Sequence, residues 1–435
     1  MKTHASAACV ETLSFGCRLN FVEAETMRRA AKAAGFENLV IVNSCAVTAE
    51  ATRQTRQAIR RVKREQPEAK IVVTGCAAET EPERFRAMPE VGLVLGNARK
   101  TEAATWLALK HQASDLPLDA PHAEALHRPR LSPQAGTEDH TRAFLAVQNG
   151  CDHRCSFCII PQGRGSSRSV PLDDAIAMAR DLAARGFLEI VLTGVDLTSY
   201  GSDLPDVPRL GDLVRRILRE VPSLPRLRLS SIDCIEADPV LVRCFAEEER
   251  LMPSLHLSLQ AGSDLILKRM QRRHGRTDAI RFCAELRRLR PDIAFSADLI
   301  AGFPTETEAQ FTDTLDLVDA CGLTSLHVFP FSARPGTPAA RMPAVAPTIV
   351  KERARRLREK GTLALASHLG THVGHRRRLL SERGGLARTE DFAPVRLHNI
   401  APGRLVEALI TGSDGEVLQG AIVPDRSGSM NAIPL

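Results

Sequence analysis

Cys151, Cys155 and Cys158 stand at CxxxCxxC spacing in the run CDHRCSFC. Three thiolates on one short loop can hold three irons of a [4Fe-4S] cluster and leave the fourth iron open to a ligand. Zinc is the alternative, but a structural zinc site closes with four ligands and would have to recruit His153 or a remote residue. Three further segments share one pattern of apolar strand, small residue and cysteine: ETLSFGC ending at Cys17, LVIVNSC at Cys45 and KIVVTGC at Cys76. Any one alone reads as a buried cysteine at a strand end, whereas three in register read as a shared site. Of the remaining five, Cys9 precedes the first strand, and Cys234, Cys244, Cys283 and Cys321 have no motif spacing and read as packing residues. A total of 11 cysteines, odd and spread over a long chain, argues against a disulfide framework.

The pattern around these cysteines predicts the elements that hold them. After Cys17 the apolar Phe21, Val22, Ala24, Met27, Ala30, Ala31 and Ala34 recur near helical spacing, with Gly35 as a stop; after Cys45 a helix spans about 50–64 and ends before Pro67. Strands alternating with helices predict a parallel sheet with right-handed crossovers, and ligands of such sheets sit beyond the strands' carboxyl ends. Cys17, Cys45 and Cys76 then share one edge. Between 110 and 142 the periodicity lapses into a Pro-, His- and Asp-rich stretch that reads as a linker. From Ala143 six strands (143–149, 188–194, 226–231, 255–260, 293–302, 325–331) alternate with five helices, too few for an eight-unit barrel but enough for an open three-quarter barrel. A basic helix over about 348–367 leads into short strand-like runs from His372, which suit a small antiparallel barrel of the oligonucleotide-binding kind. The expected fold is α/β: a parallel-sheet domain over 1–109, a linker over 110–142, an open (β/α)6 partial barrel over 143–371, and a small β-barrel over 372–435.

Composition bounds the function. At roughly 150 residues per domain, 435 residues suit about three domains, and 43% hydrophobic with 25% charged residues excludes disorder as the main state. No run approaches the roughly 18 apolar residues of a membrane span, and MKTHASAACVETLSFG lacks a secretory core, so a cytoplasmic protein without a membrane partner is expected. The net charge of +6 is concentrated: Lys268 to Arg290 carries nine basic residues against Asp278 and Glu285, and Lys351 to Arg378 nine against Glu352 and Glu359. One such run is usually a solvated helix face. Two runs, the second ending in Arg376, Arg377 and Arg378 where the small barrel begins, favour a nucleic-acid phosphate track. With one Trp and one Tyr, base stacking is not the main device.

The cysteine spacing, with aromatic Phe157 before the last cysteine and the loop just after the first barrel strand, resembles the signature of the radical S-adenosylmethionine superfamily. The resemblance implies that the open iron binds the amino and carboxylate groups of S-adenosyl-L-methionine, and that one electron from the reduced cluster splits it into methionine and a 5′-deoxyadenosyl radical. Over nearly the whole chain, GCRLN, VNSCAVT, TGCAAE, CSFCIIPQGRGSSRS, LTGVDLTSYG, SLQAGSD, DLIAGFPTETE and FPFSARPGTPA resemble the methylthiotransferases of that superfamily. In that family three N-terminal cysteines hold an auxiliary [4Fe-4S] cluster, and by resemblance they are Cys17, Cys45 and Cys76.

Other positions lie where such a barrel presents ligand contacts. Gly194 and Asp196 follow the second strand, where family members approach the methionine end of the cofactor and a carboxylate could pair with its ammonium. Asp233 could serve the ribose hydroxyls or the substrate; Ser258 and Gln260 end the fourth strand, and Asp298 and Gly302 lie on the fifth. Each also suits a cap or turn. Arg164 and Arg168, in GRGSSRS, could reach the cofactor carboxylate or an RNA phosphate, or form a solvated basic loop. The loop and the SFGCRLN start look most similar to enzymes acting on carbon 2 of N6-threonylcarbamoyladenosine beside the tRNA anticodon. The alternatives are the isopentenyladenosine enzyme and the relative that modifies an aspartate of a ribosomal protein. The resemblance further implies the anticodon loop as partner, a one-electron reductant of flavodoxin or ferredoxin type, and a monomer. From a different class, a non-catalytic RNA-binding protein with structural zinc would explain the charge but not the unfilled three-cysteine loop.

Overall fold

A computed structural model describes residues 10–111, 134–136 and 141–423. Cys9, most of the linker segment and residues 424–435 lie outside the described residues.

The first sheet is wholly parallel: β1 (Val10–Ser14), β2 (Leu39–Ser44), β3 (Lys70–Gly75) and β4 (Leu93–Val94) lie side by side in chain order. Helix α1 (Arg18–Ala33) sets Ala24, Met27 and Ala31 on the sheet face of Leu39 and Ile41. Helix α2 (Ala49–Glu65), capped by the Thr48 hydroxyl accepting from Ala51 N at 3.1 Å, sets Ile59 and Val62 on the opposite face, against Val40 and Val42. Successive strands step in one direction while their helices lie on opposite faces, so the two crossovers have opposite hands. The expectation of right-handed crossovers throughout holds for only one of them. The reason is that α1 is apolar on a second side: Leu19 and Val22 pack on Ala146, and the Phe21 ring meets Phe144 edge-on at 6.0 Å. A neighbouring sheet therefore helps fix where α1 lies.

That neighbour is the central partial barrel. β6 (Ala143–Ala146), β9 (Glu189–Thr193), β10 (Arg226–Leu229), β12 (Ser254–Gln260), β13 (Ala294–Ala301) and β14 (Leu323–Pro330) run parallel. The third strand continues as β11 (Ser231–Ile232), which pairs with β12, and β5 (Gln134–Gly136) adds an antiparallel edge beside β6. Leu145, Ile190, Leu192, Leu227, Leu255, Leu257 and Phe295 point outward into the helix-covered core. Alternate residues point inward, as strand geometry requires, and many are polar: Glu189, Arg226, Arg228, His256, Ser296 and Asp298. The short pair β7 (Gln148–Asn149) and β8 (Arg168–Ser169) brackets the three-cysteine loop.

After the helix Pro347–Gly370, β15 (Arg376–Ser381), β16 (Leu386–Arg388), β17 (Pro394–Arg396), β18 (Leu405–Ser413) and β19 (Leu418–Ile422) close a barrel in the order β15-β16-β17-β19-β18. The sequence pattern predicts antiparallel pairing, and four of the five pairings are so, while β17 and β19 pair in parallel. Five strands cannot alternate direction around a closed ring. The small barrel docks under the central one: Arg226 Nη2 donates to Arg378 O at 2.8 Å, Arg142 pairs with Glu382, and the Phe392 ring lies 4.8 Å from the guanidinium carbons of Arg142, Arg228 and Arg388.

Candidate active site

Gln148, at the end of the first barrel strand, organises the three-cysteine loop. Its buried amide donates to Gly150 O at 2.8 Å and Ser167 Oγ at 3.0 Å, while its carbonyl oxygen accepts from Val195 N at 2.9 Å and Asp196 N at 2.8 Å. The turns after the first and second strands are thereby clamped together, and a Cβ at Gly194 would sit 2.8 Å from Gln148 Oε1. Asp196 comes to 3.4 Å from Cys151 Sγ, with His153 Nε2 and Ser199 Oγ each 2.7 Å from its carboxylate. Burial alone would raise the Asp196 pKa, but His153 and Ser199 outweigh it and hold the group below the usual carboxylate range. Burial pushes the Cys158 thiol up to about 12, and burial with the nearby Asp196 charge pushes Cys151 up as well. Such thiols give up their protons to a cation rather than to water, which suits iron ligation.

On the opposite wall, Arg272 reaches Cys155 Sγ with one nitrogen at 3.5 Å and with the other donates to Asp233 Oδ2 and Ser258 O, both at 2.7 Å. Asp233 also meets Arg273 at 3.2 Å and His274 at 3.4 Å, and these partners outweigh burial to keep it ionised. Phe157 packs against the apolar cluster of Met270, Ile300, Phe303 and Phe331, which anchors the loop. Gln260 ends its strand at φ 69°, a left-handed conformation rare outside glycine. Asp298 lies deeper, 2.9 Å from His256 Nε2 and 3.3 Å from His327 Nδ1.

The second triad gathers at the first sheet's carboxyl edge. Gly16, at φ 95°, lies so near Cys45 that a Cβ there would stand 2.6 Å from its Sγ. Cys17 donates to Asn20 Oδ1 at 3.6 Å; burial pushes Cys45 up to about 12 and raises Cys76. Cys76 begins the short helix α3 (Cys76–Thr80), and its Cβ would be 3.2 Å from a Cβ at Gly163, in the helix that follows Cys158. Glycine at 163 lets that helix pass close to Cys76. Each triad offers three thiols, the donor set of a [4Fe-4S] cluster with one open iron, so the residues present fit two such clusters.

Arg164 is drawn into this seam rather than toward a ligand. It is buried, donating to Glu23 Oε1 and Oε2 at 2.8 and 3.1 Å, to Asn149 Oδ1 at 2.9 Å, and to Asn20. Lys100 Nζ completes the network, 2.7 Å from Glu23 Oε2 and 3.2 Å from Asn43 Oδ1. Against the cost of burial, Arg164 and Lys100 bring Glu23 down to about 2. Arg168 sits on β8 paired with Asn149. Gln148, Glu23 and Lys100 carry no motif signal in the sequence; Glu23 stands between apolar helix positions where a solvated carboxylate would look the same.

The charge runs are largely spent on internal bonds. Arg276, Arg287 and Arg290 donate to backbone carbonyls, and Arg353, Arg355, Arg356 and Lys360 pair with carboxylates. Lys268, Arg288, Lys351 and Arg358 are exposed and make no ion pair among the described residues. Arg376 and Arg378 project from β15 with side chains 65% and 51% exposed, near Glu407 and Glu390, while Arg377 Nε donates to His372 Nδ1 at 2.9 Å. Cys234, Cys244, Cys283 and Cys321 all pack in the central core.

Residues 145–318 match the radical SAM superfamily, and residues 9–96 match the uncharacterized protein family UPF0004. The radical S-adenosylmethionine methyltransferase TsrM from Kitasatospora setae, solved with cobalamin and a [4Fe-4S] cluster bound, shares the fold at a TM-score of 0.56, covering 76% of this chain and 76% of that one at 18% identity. Partial barrel and three-cysteine loop together define a radical SAM protein. The threonylcarbamoyladenosine tRNA methylthiotransferase MtaB of Rickettsia prowazekii (strain Madrid E) is 44% identical over 95% of this chain and 97% of its own length. The tRNA-2-methylthio-N(6)-dimethylallyladenosine synthase of Sorangium cellulosum (strain So ce56) is 33% identical over 96% and 92%. The chain belongs to the radical SAM methylthiotransferase family.

Proposed function

We propose that the protein adds a methylthio group to carbon 2 of N6-threonylcarbamoyladenosine beside the tRNA anticodon, with two [4Fe-4S] clusters and S-adenosyl-L-methionine as cofactors. The observation that carries this reading is the approach of Cys76 to Gly163, which places one cysteine triad against the helix that follows the other. When bound, the reduced cluster with S-adenosyl-L-methionine supplies a carbon radical able to take a substrate hydrogen, and the second cluster presents the methylated sulfur. The chain's own residues position and shield. Asp196, held ionised beside Cys151 by His153 and Ser199, stands ready to pair with an ammonium group. Arg272 directs positive charge at Cys155 Sγ. Gln148 fixes the loop, and the Arg164–Glu23 pair fixes one triad relative to the other.

The barrel interior selects among substrates. Arg228, His256 and Ser296 line it beside the apolar Leu229, Leu365 and Phe392, and an isopentenyl group would leave those polar groups unpaired. A threonylcarbamoyl group brings carbonyl, hydroxyl and carboxylate oxygens instead. The basic side chains of β15 contribute phosphate contacts, a flavodoxin- or ferredoxin-type protein delivers single electrons, and the enzyme works as a monomer in the cytoplasm; no helix among the described residues is long and apolar enough to cross a membrane. The test is a reaction of the reconstituted enzyme with two anticodon stem-loops, one carrying N6-threonylcarbamoyladenosine and one N6-isopentenyladenosine. Methylthio product on the first alone is expected; product on the second alone overturns the substrate assignment.

A further inference from the structure

Between the amino-terminal halves of the central strands and the small barrel lies a cavity of about 260 Å³, lined by Arg18, Arg228, Ser254, His256, Ser296 and His327 and floored by Phe392. That is smaller than the roughly 300 to 1,000 Å³ of pockets that take whole ligands, so it suits a side group rather than a nucleoside. We propose that this cavity is the binding site for the carboxylate of the threonylcarbamoyl substituent, and that Arg18, with Arg228 beside it, is the residue that recognises it. The inference rests on the substrate reading above.

Three observations converge. Arg18 follows Cys17 directly, so one turn of chain places a thiol at the second triad and a guanidinium in the barrel. Arg18 is exposed and makes no hydrogen bond or ion pair among the described residues, with Arg142 and Arg228 of like charge and Glu189 and Asp298 of opposite charge around it. Arg228 is 3% exposed and spends Nε and Nη2 on Glu189 at 2.9 and 3.2 Å, leaving Nη1 buried without a partner. The carboxylates nearby are already engaged: Glu189 by Arg228, Asp298 by His256 and His327, and Asp391 by His368 and His372 at 2.9 and 3.0 Å. A buried unpaired guanidinium nitrogen is costly, and a carboxylate is the partner whose paired oxygens match its geometry. Covalent geometry agrees as well. Carbon 2 and N6 lie on the same edge of adenine, so the reacting carbon and the N6 substituent enter the site from the same side of the base. Phe392, at φ 77° and flanked by three arginines, forms the floor.

The test measures RNA binding rather than turnover, with both clusters loaded and iron content checked in each variant. The probes are anticodon stem-loops carrying N6-threonylcarbamoyladenosine, its uncharged methyl ester, or unmodified adenosine. The unmutated protein should bind the acid on the order of tenfold or more tighter than the ester, the scale of a hydrogen bond to a charged group. In Arg18→Gln that ratio should fall to near one, and Arg18→Lys, which keeps the charge, should retain part of it. An Arg18→Gln protein that keeps the full ratio overturns the site, as does one whose S-adenosyl-L-methionine affinity falls instead, which would make the cofactor's carboxylate the true occupant. If the unmutated protein does not prefer the threonylcarbamoyl RNA to unmodified RNA, the substrate reading itself fails.

Discussion

Arg164, in the helix that follows the CxxxCxxC loop, holds both carboxylate oxygens of Glu23 in α1, at 2.8 and 3.1 Å, in an interior closed to solvent. Through Asn20, which accepts from Cys17 and from Arg164, the pair connects the two triads. Removing one member of a buried pair strands the other charge, at a typical cost of ~3–5 kcal/mol. Glu23→Gln should lower the unfolding free energy by that order in denaturant titration, and Arg164→Met should behave similarly.

The same pair sets a pH dependence. Glu23 is held at about 2 against an ordinary 4.5, so its stabilisation is complete above 4.5 and is lost as pH falls toward 2. Between those limits the unmutated protein should lose stability more steeply than Glu23→Gln, read from unfolding midpoints across the range. Parallel curves would show that Glu23 does not carry the acid sensitivity.

The two triads should be separable. Replacing Cys151, Cys155 and Cys158 with Ala should leave about four irons per chain and abolish cleavage of S-adenosyl-L-methionine. Replacing Cys17, Cys45 and Cys76 should leave cleavage to 5′-deoxyadenosine intact while methylthio transfer disappears. Iron assays and product chromatography distinguish these outcomes from a single shared site.

Gln148→Leu roughly keeps the volume and removes five side-chain hydrogen bonds, to Asn149, Gly150, Ser167, Val195 and Asp196, that tie the Cys151 loop to the turn after the second strand. Iron content should hold, while S-adenosyl-L-methionine affinity should drop roughly 5- to 150-fold, the range for a loss of ~1–3 kcal/mol. Equilibrium binding without RNA reads this directly, and unchanged affinity would mean the loop holds its shape without the clamp.

For RNA, substitution on β15 is cleaner than truncation, because deleting the small barrel would also remove Phe392 and Glu382 from the floor of the central one. Arg376→Gln with Arg378→Gln should lower the slope of log K against log salt by about 0.7 to 0.9 for each phosphate that these arginines neutralise. An unchanged slope would move the phosphate track to the exposed Lys268, Arg288, Lys351 and Arg358.

Periodicity and local spacing made much of this legible in the sequence. The six cysteines, the barrel strands and most helix ends follow from short-range pattern, because strand alternation and cysteine spacing are local properties. What stayed hidden depends on partners far along the chain. Glu23 and Lys100 are 77 residues apart and become a site only when α1 is covered on two sides. Arg164 sits in a glycine- and serine-rich run that suggests reach, yet Glu23 and Asn20 draw it inward. Nor does a charge count distinguish an arginine facing phosphate from Arg287 or Arg290 bonding backbone carbonyls. The hand of the first crossovers escaped for the same reason, since α1 answers to two sheets at once.

Nucleoside mass spectrometry of tRNA from a strain lacking this protein bears most directly on what it does. Loss of 2-methylthio-N6-threonylcarbamoyladenosine, accumulation of N6-threonylcarbamoyladenosine, and restoration by the intact gene but not by a Cys17, Cys45, Cys76 variant is the predicted result. An unchanged 2-methylthio-N6-threonylcarbamoyladenosine level, with loss of the isopentenyl counterpart instead, would contradict it.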